Sequence, residues 1–322
     1  MATNTTTSTT STTYLNKTFH DREMLAFART QFVHAKYGQK RNIPKNNGKT
    51  VEWRRWNLFD PAAITGGLTD GVTPTGQDLG QTKVEATVKQ YGAYVEISDF
   101  LDLTAFDNVT DDSVELIGEQ LGTCIEWVTR DAMNAGSNVQ YAGGKTSRAT
   151  VGATEKLTVL EIRKAVRTLQ KLKARPFTAT DGGKSRGKHY VCICSPDAVF
   201  DLQSDALWQD VSKYSNAEQI YDGEMGRLFG VVFVRSTEAK VFAGAGASDV
   251  DVHSTLIFGR DAYGTVDIDG SGAIKTIIKK PGSAGTADPL DQRGTVGGKV
   301  MAYATKILND NWIVRIEHGV TA

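Results

Sequence analysis

Three Gly-Lys-Ser/Thr tripeptides come closest, among the residues of this chain, to a known phosphate-binding motif. They occupy residues 48–50, 144–146 and 183–185. A phosphate-cradling loop requires a further glycine five positions before the glycine that precedes the lysine, because the backbone must approach the phosphates closely. Those positions hold Ile43, Val139 and Thr178. None of the three tripeptides therefore predicts a nucleotide site.

The other chemically active residue types are not arranged for a metal ion or for nucleophilic catalysis. Asp267, Asp269 and Gly270 resemble the start of a calcium loop, but no glutamate follows at the required distance. No serine lies in a Gly-x-Ser-x-Gly setting. The histidines are scattered, with no His-x-x-x-His or Cys-x-x-Cys pair to suggest zinc, and they are His20, His34, His189, His253 and His318. We predict no catalytic, cofactor-binding or metal-binding residues and no enzymatic activity.

The composition indicates a globular protein without a strong overall charge. The chain has 322 residues, 40% hydrophobic and 23% charged, which is enough for a substantial core and two subdomains. Lysine plus arginine equals aspartate plus glutamate at 37 each, so the overall charge gives no reason to expect tight binding of nucleic acid, although local basic patches remain possible. Cys192 and Cys194 lie too close along one strand to bridge, and all three cysteines are predicted to be reduced. No segment has the features of a signal peptide or a membrane span.

A long amphipathic helix is predicted from Thr110 to about Asn134, and nothing on it suggests chemistry. Its length would be roughly 36 Å at about 1.5 Å per residue. Residues 110–112 offer N-cap oxygens and negative charge, and Gly136 stands where a C-cap glycine would. Glutamates and Arg130 fall between its apolar residues. The apolar stripe predicts core packing through Val114, Ile117, Leu121, Ile125 and Val128.

An extended hairpin is predicted from Val51 to Ile97. Two strand-like arms enclose about two dozen residues rich in Gly, Thr and Pro, which is longer than compact domains use for a connection. The alternation shifts phase near Gln90, which indicates a bulge or pivot. Exposed aromatic and arginine side chains are typical of an intermolecular contact, and the candidates are Trp53, Arg54, Arg55, Trp56 and Phe59. A surface flap folded onto its own domain is the alternative.

The chain before the hairpin is predicted to be an arm. Residues 1–13 are nearly all Thr and Ser after the first few, which cannot bury enough apolar surface to become ordered. A helix with a partial apolar stripe is predicted from about Asp21 to Lys36. Such a helix on a loose arm favours packing against something else, and a core of its own is the alternative.

Alternating helices and strands follow the long helix. A capping box at Thr158 and Glu161 opens a helix that ends before Pro176. One face of this helix is basic and could approach phosphates or be merely solvated, and it carries Arg163, Lys164, Arg167, Lys171 and Lys173. A buried strand ends at Cys194, a helix begins at Ser195 and Pro196, and the segment from Leu228 reads as one strand.

The C-terminal region is predicted to be mainly strand. Residues 300–308 and 312–317 read as an antiparallel pair around 309–311. The apolar stripe of the long helix should face the segment from Val300 to Ile316. The fold class is therefore α+β.

Four segments, taken in their order along the chain, resemble the Hong Kong 97-type major capsid protein of tailed bacteriophages, in the branch typified by phage N-four. The segments are VEWRRW at residue 51, QYGAYVEISDF at 90, FGRDAYG at 258, and DPLDQRGTVGGKVMAYATKILNDNWIVRIEHG at 288. They are descriptive signatures and carry no chemistry. The likeness runs over most of the chain.

The resemblance implies a division of the chain and a function. Residues 1–50 would be the N-arm, 51–97 the E-loop, 98–156 and 270–322 the P-domain with its spine helix, and 157–269 the A-domain. The implied function is self-assembly into hexamers and pentamers of an icosahedral or prolate head around double-stranded DNA. Assembly would take place in the host bacterial cytoplasm, with a portal and optional scaffolding or decoration proteins as partners. Neither partner of the family's Lys–Asn crosslink can be matched here.

Two other classes of protein remain open from the sequence. One is a different phage structural subunit, such as a tail-tube or decoration protein, and the other is an enzyme whose site assembles only in three dimensions. A shell-forming subunit should give megadalton particles or discrete pentamers and hexamers, whereas an enzyme should give a small oligomer.

Overall fold

A computed structural model of the chain describes residues 33–321, with gaps at 58, 105–107, 182–183, 213–223, 269–273, 284 and 286–287. The predicted flexible arm and nearly all of the predicted helix at 21–36 lie outside the described residues. Within that helix only a single 3₁₀ turn at His34–Lys36 is described. The described part consists of two sheets, a separate two-stranded hairpin, and helices packed on the sheets.

The described residues contain five α-helices and fifteen strands. The helices are α1 Asp99–Thr104, α2 Val109–Met133, α3 Val159–Lys171, α4 Pro196–Gln203 and α5 Ala206–Ser212. The strands are β1 Gln39–Ile43, β2 Thr50–Trp56, β3 Gln81–Thr87, β4 Lys89–Ser98, β5 Val139–Tyr141, β6 Phe177–Asp181, β7 Lys184–Cys194, β8 Glu224–Leu228, β9 Val231–Arg235, β10 Val241–Phe242, β11 Val252–Phe258, β12 Tyr263–Ile268, β13 Ile274–Lys279, β14 Arg293–Ile307 and β15 Ile313–His318.

The larger sheet has eight strands in the order β5-β15-β11-β7-β9-β8, with β10 beside β11 and β6 beside β7. Both faces of its centre are buried. Alternate residues of β7 illustrate this, since Cys192 and Cys194 face α3 and α4 whereas Val191 and Ile193 face the opposite core. Strands buried on both faces read as continuous apolar runs, which is why HYVCIC predicted a buried strand.

The smaller sheet has five strands, with β14 at its centre. The first part of β14 pairs with β13 and β4, and its last part pairs with β12, which in turn pairs with β1. One face of this sheet is covered by α2. The stripe residues Val114, Ile117, Leu121 and Ile125 are buried there, and Val128 is half-buried against the same cluster.

Helix α2 matches the predicted spine helix within one residue at each end, but its caps are different residues. Asn108 is the N-cap, and its side-chain oxygen accepts a hydrogen bond from the backbone of Asp111. Asn134 replaces the expected glycine cap at the C-terminal end, where it is buried. It accepts from Ser254 of β11 and from Arg315 of β15, so the helix end is joined to the larger sheet.

Strands β14 and β15 do not form the expected antiparallel pair. The chain passes through a 3₁₀ turn at Asp310–Trp312 and carries β15 into the larger sheet, between β11 and β5. The spine helix therefore faces only the part of the expected segment that includes Val300 and Tyr303, together with Val296. Ile313 and Ile316 belong to the cores of the other sheet. Both strands read as apolar in sequence, and neither pattern specifies its partner.

The segment from Leu228 to Arg235 contains a reversal that the sequence did not indicate. Phe229 and Gly230 both have positive φ, 50° and 74°, and they join β8 to β9 as an antiparallel hairpin. Two positive-φ residues match the right-handed twist of the flanking strands. Phenylalanine rarely adopts a positive φ, so its presence in the sequence does not indicate a turn. The apolar run through Phe229 therefore favoured one continuous strand.

The predicted starts of α3 and α4 are confirmed. The hydroxyl of Thr158 accepts from the backbone of Glu161, and that of Ser195 accepts from Ala198, with Pro196 at the first helical position. The Glu161 carboxylate does not close the capping box. It accepts instead from Gln140 and from Lys164.

Candidate assembly surface

The hairpin formed by β2 and β3 is a two-stranded sheet, and no other strand of the described residues pairs with it. Seven residue pairs align, from Thr50 with Thr87 to Trp56 with Gln81. After β3 the chain leaves the hairpin and enters the smaller sheet, where β4 begins at Lys89 and pairs with β14. The phase shift in the sequence marks this passage between sheets. A two-stranded hairpin by itself is only marginally stable in water.

The tip of the hairpin, residues 57–80, exposes large apolar side chains along its length. Their exposed fractions are 71% for Ile64, 82% for Leu68, 62% for Val72 and 69% for Leu79. A 3₁₀ turn at Pro61–Ile64, capped by the Asp60 carboxylate, gives the tip some local structure. Contiguous exposed apolar residues are typical of a protein interaction site.

The same tip is acidic. It contains Asp60, Asp70 and Asp78 and no lysine or arginine between residues 57 and 80. The formal charge of the tip is therefore three negative units. A partner surface should be apolar at its centre and positively charged around it.

The five interface candidates from the sequence divide into two groups. Trp56 and Phe59 are 61% and 52% exposed, and the side chains of Arg54 and Arg55 are also exposed, with Arg54 paired to Glu52. Trp53 differs, because it is half-buried against the chain's own small core. That core consists of Ile43, Ala86, Val266 and Ala304.

Trp53 fixes the root of the hairpin to the smaller sheet. A Cβ atom added at Gly264 of β12 would lie 2.8 Å from its ring, so only glycine admits the indole there. Part of the Trp53 ring is therefore covered by its own subunit, which the sequence did not indicate, and its role in a subunit contact stays a prediction. Register decides this, because Trp53 and Trp56 point to opposite faces of β2.

At β13, β4 and the first part of β14, the smaller sheet has a second face, opposite α2, that no helix or sheet of the described residues covers. Alternate residues of β13, β14 and β4 point there. We call this surface the open sheet face, and it comprises Lys275, Ile277, Lys279, Thr295, Gly297, Lys299, Gly92, Tyr94 and Glu96. The ion pairs among the described residues include none of its three lysines. Lys275 and Lys299 are direct cross-strand neighbours, an unfavourable arrangement for like charges without a partner.

A groove of about 440 Å³ runs along the open sheet face. Its floor is formed by Gly92, Gly297 and Gly298, and Tyr94 stands at its side with 68% of its surface exposed. A Cβ atom added at Gly297 would come within 3.2 Å of Tyr94, and one at Gly92 within 3.1 Å of the Gly298 carbonyl. Larger residues would narrow the groove.

A buried carboxylate on α2 binds the backbone at residues 33–34, where the described part of the chain begins. Glu126 is fully buried and accepts from the backbone N–H groups of Val33 and His34 at 3.2 and 3.0 Å. Its Oε1 lies 2.5 Å from Nδ1 of His34, and Tyr263 donates to the His34 carbonyl. The sequence placed Glu126 on the polar side of the helix, and only the packing of residues 33–37 explains its burial.

Two buried histidines lie side by side near the C-terminal end of the larger sheet. His253 and His318 have ring centroids 6.2 Å apart. His253 shares a 3.0 Å hydrogen bond with Ser195, which caps α4 and is itself buried. The contact between His253 and Ser195 is therefore structural. His318 lies 2.9 Å from the Thr255 hydroxyl and 2.8 Å from the Gly319 carbonyl.

Burial of His318 is expected to make the stability of the protein depend on pH. Burial lowers the pKa of His318 to about 4, from an unperturbed value of about 6.5. Because the unfolded chain binds the proton more tightly, this stability is complete above about pH 6.5 and is lost as the pH falls towards 4, by about 3 kcal/mol. Urea unfolding at about pH 7 and pH 4.5 should show this loss. His318→Gln should show less of it; an unchanged pH dependence in that variant would contradict the prediction.

Among the described residues, no group of His, Cys, Asp and Glu is arranged to hold a metal ion. No helix in the described ranges combines the length and apolarity needed to cross a membrane. Cys124, Cys192 and Cys194 are all free thiols.

Comparison with known proteins finds one matching sequence family and several solved structures with a similar fold. A family described as phage capsid protein matches residues 128–280. No curated protein sequence matches the chain. The capsid of Ralstonia phage GP4 is similar at a TM-score of 0.69 and 15% identity, covering 90% of this chain and 89% of that one. The Cyanophage Pam1 capsid is similar at 0.66 and 14%, covering 86% of each chain.

A third solved structure extends this likeness. The mature capsid of bacteriophage PhiM1 is similar at a TM-score of 0.60 and 13% identity, covering 89% of this chain and 86% of that one. Similarity over nearly the whole length of each chain identifies the fold as the Hong Kong 97-type capsid fold. The fold class expected from the sequence is therefore confirmed.

Proposed function

We propose that this chain is a major capsid protein that assembles with copies of itself into the head of a tailed bacteriophage. The observation that carries the proposal is the hairpin tip, which exposes apolar residues that its own subunit does not cover. A hairpin that must bury its surface on another copy makes a heterologous contact. Repetition of such a contact closes rings, as hexamers and pentamers require.

The open sheet face of a neighbouring copy is the proposed receptor for the tip. Three lysines there match the three aspartates of the tip, and Tyr94 and Ile277 offer apolar contact to residues such as Leu68. Glycines at the floor of the groove leave room there for side chains of the tip. Charge complementarity would set the register of the contact, and apolar burial would supply most of its free energy.

The division into N-arm 1–50, E-loop 51–97, P-domain 98–156 and 270–322, and A-domain 157–269 is part of the same proposal. The separate hairpin supports the E-loop assignment. The larger sheet recruits β5 and β15 from the segments assigned to the P-domain, so the two domains share strands. The four sequence segments support a place in the branch typified by phage N-four.

The proposal also covers the partners and the setting. Double-stranded DNA inside the shell, a portal, and scaffolding or decoration proteins follow from a role in a phage head, as does assembly in the bacterial cytoplasm. A tail-tube or decoration subunit would instead form stacked rings or bind to preformed shells. Negative-stain microscopy of the expressed protein distinguishes these outcomes, and only closed shells or their hexamers and pentamers support a major capsid protein.

A pair of substitutions tests whether the hairpin drives assembly. Trp56→Ser with Phe59→Ser should prevent shells, since the exposed rings would contact only other subunits. The free energy of unfolding of the subunit should change by no more than about 0.5 kcal/mol, as for other surface substitutions. Microscopy measures assembly and urea unfolding measures stability.

Trp53→Ala is the matched control on the same strand. It should lower the free energy of unfolding by about 2 kcal/mol or more, because a tryptophan packed on its own core is removed. Normal shells from the Trp56/Phe59 variant would exclude the hairpin as the assembly element.

A further inference from the structure

The exposed side of α3 carries cations in a regular line. Arg163, Arg167 and Lys171 occur at intervals of four residues, and all three are exposed. Four residues of helix rise about 6 Å, so the three positions span roughly 12 Å on one side of the helix. Lys173, just beyond the helix, is also exposed. We call these four residues the basic face.

No carboxylate neutralises the basic face within the helix. The only acidic residue of α3 is Glu161, which is buried and accepts a hydrogen bond from Lys164 at 2.7 Å. The opposite side of the helix is apolar and packs against the larger sheet through Ile162 and Leu169. The charge is therefore concentrated on one side, although the whole chain has no net charge.

Two neighbouring residues extend and support the basic face. The guanidinium group of Arg163 lies 5.0 Å from the ring centroid of Phe229, in the turn between β8 and β9. That ring is 48% exposed and holds the arginine in place by a cation–π contact. Lys188 is exposed on the adjoining strand, and its carbonyl lies beside Gly230 of the same turn.

Helix stability explains only part of this arrangement. Lys171 lies in the last turn of α3, where a cation interacts favourably with the helix dipole. Arg163 and Arg167 lie outside that turn and have no carboxylate partner on the helix. Their positions indicate a surface that meets an external anion.

We infer that the basic face binds the phosphate backbone of duplex DNA and is the surface that the subunit turns towards the packaged genome. The inference rests on the proposed function. Spaced cations on a convex helix face suffice for a phosphate backbone, which is held by its charges and needs no pocket. Arginine is the favoured residue for phosphate because its planar fork presents two parallel donors. With only three or four phosphate contacts on a protein of zero net charge, the binding should be weak and should not depend on the DNA sequence.

The test compares unassembled native subunits with Arg163→Gln/Arg167→Gln/Lys171→Gln. Binding of a fluorescent 20-base-pair duplex is followed by anisotropy over a range of salt concentrations. Each lost phosphate contact lowers the slope of log affinity against log salt by about 0.9, so the slope should fall by about 2.7. Affinity at low salt should fall at least about tenfold, equally for duplexes of unrelated sequence.

The matched control removes three other exposed lysines near the root of the hairpin, Lys45→Gln/Lys49→Gln/Lys89→Gln. This control variant should keep the native slope of log affinity against log salt. An equal loss in the control, or no loss in the α3 variant, would overturn the inference. Tighter binding of native subunits to polyglutamate than to the duplex would overturn it in favour of an acidic protein partner.

Shell formation is scored separately by microscopy. An α3 variant that forms shells and binds DNA like the native protein overturns the DNA-binding role alone. Failure of the native chain to form shells, hexamers or pentamers overturns the proposed function itself.

Discussion

Replacing Lys275, Lys279 and Lys299 together by glutamate is expected to abolish shell assembly while leaving the subunit folded. All three side chains project from the open sheet face, away from the α2 core, so the substitutions leave that core unchanged. The tip of a neighbouring hairpin, with its three aspartates, would then meet three carboxylates. Juxtaposed like charges cost on the order of several kcal/mol, and about 3 kcal/mol weakens one contact roughly a hundredfold.

A charge swap makes this prediction specific to the proposed contact. Asp60→Lys with Asp70→Lys and Asp78→Lys should also prevent assembly when combined with the native sheet face. Combining the two triple variants in one chain restores opposite charges, and shells should reappear. Microscopy and sedimentation measure the outcome.

The control for this experiment places glutamate at Arg163, Arg167 and Lys171, which alters the net charge by the same amount on α3. Shells should still form, since this surface is not part of the proposed subunit contact. If the combined swap variant folds but forms no shells, the tip does not bind the open sheet face.

Replacing Glu126 by alanine is expected to lower the free energy of unfolding by about 3–5 kcal/mol. The carboxylate is fully buried and satisfies two backbone N–H groups as well as the ring of His34. Removing one partner of a buried pair leaves the other without compensation, which costs far more than the net value of the pair. Urea unfolding at neutral pH measures the loss.

Glu119→Ala is the matched control, because Glu119 lies on the exposed side of the same helix. It should change the free energy of unfolding by no more than about 0.5 kcal/mol. Glu126→Gln keeps one acceptor oxygen and should fall between the two variants. A loss below 1 kcal/mol for Glu126→Ala would show that residues 33–37 contribute little to the stability of the subunit.

The local elements of this protein are predictable because their signals lie within a few residues of each other. Thr158 and Ser195 begin their helices through hydroxyls that accept from the third residue along. The four buried stripe residues of α2 repeat with the period of a helix, and the bounds of α2 agree with the prediction. The length and composition of the hairpin likewise indicated an element without a core of its own.

The candidate surfaces were only partly predictable. Trp56 and Phe59 are exposed as expected from the aromatic run, but Trp53 is held against Gly264. The open sheet face was missed, because its lysines come from separate strands and are joined only by strand register. The strand period in IKTIIK places Lys275 and Lys279 on one side, but this local signal does not reveal whether another element covers that side.

The sequence by itself therefore determined the bounds of α2, the starts of α3 and α4, and most strands, because periodicity and capping act between near neighbours. Only the tertiary structure decided that β15 joins the larger sheet, that Glu126 is buried under His34, and that three lysines share one face of the smaller sheet. These features depend on which distant segments pack together. An apolar strand or a helical glutamate has the same local pattern whatever partner it finally meets.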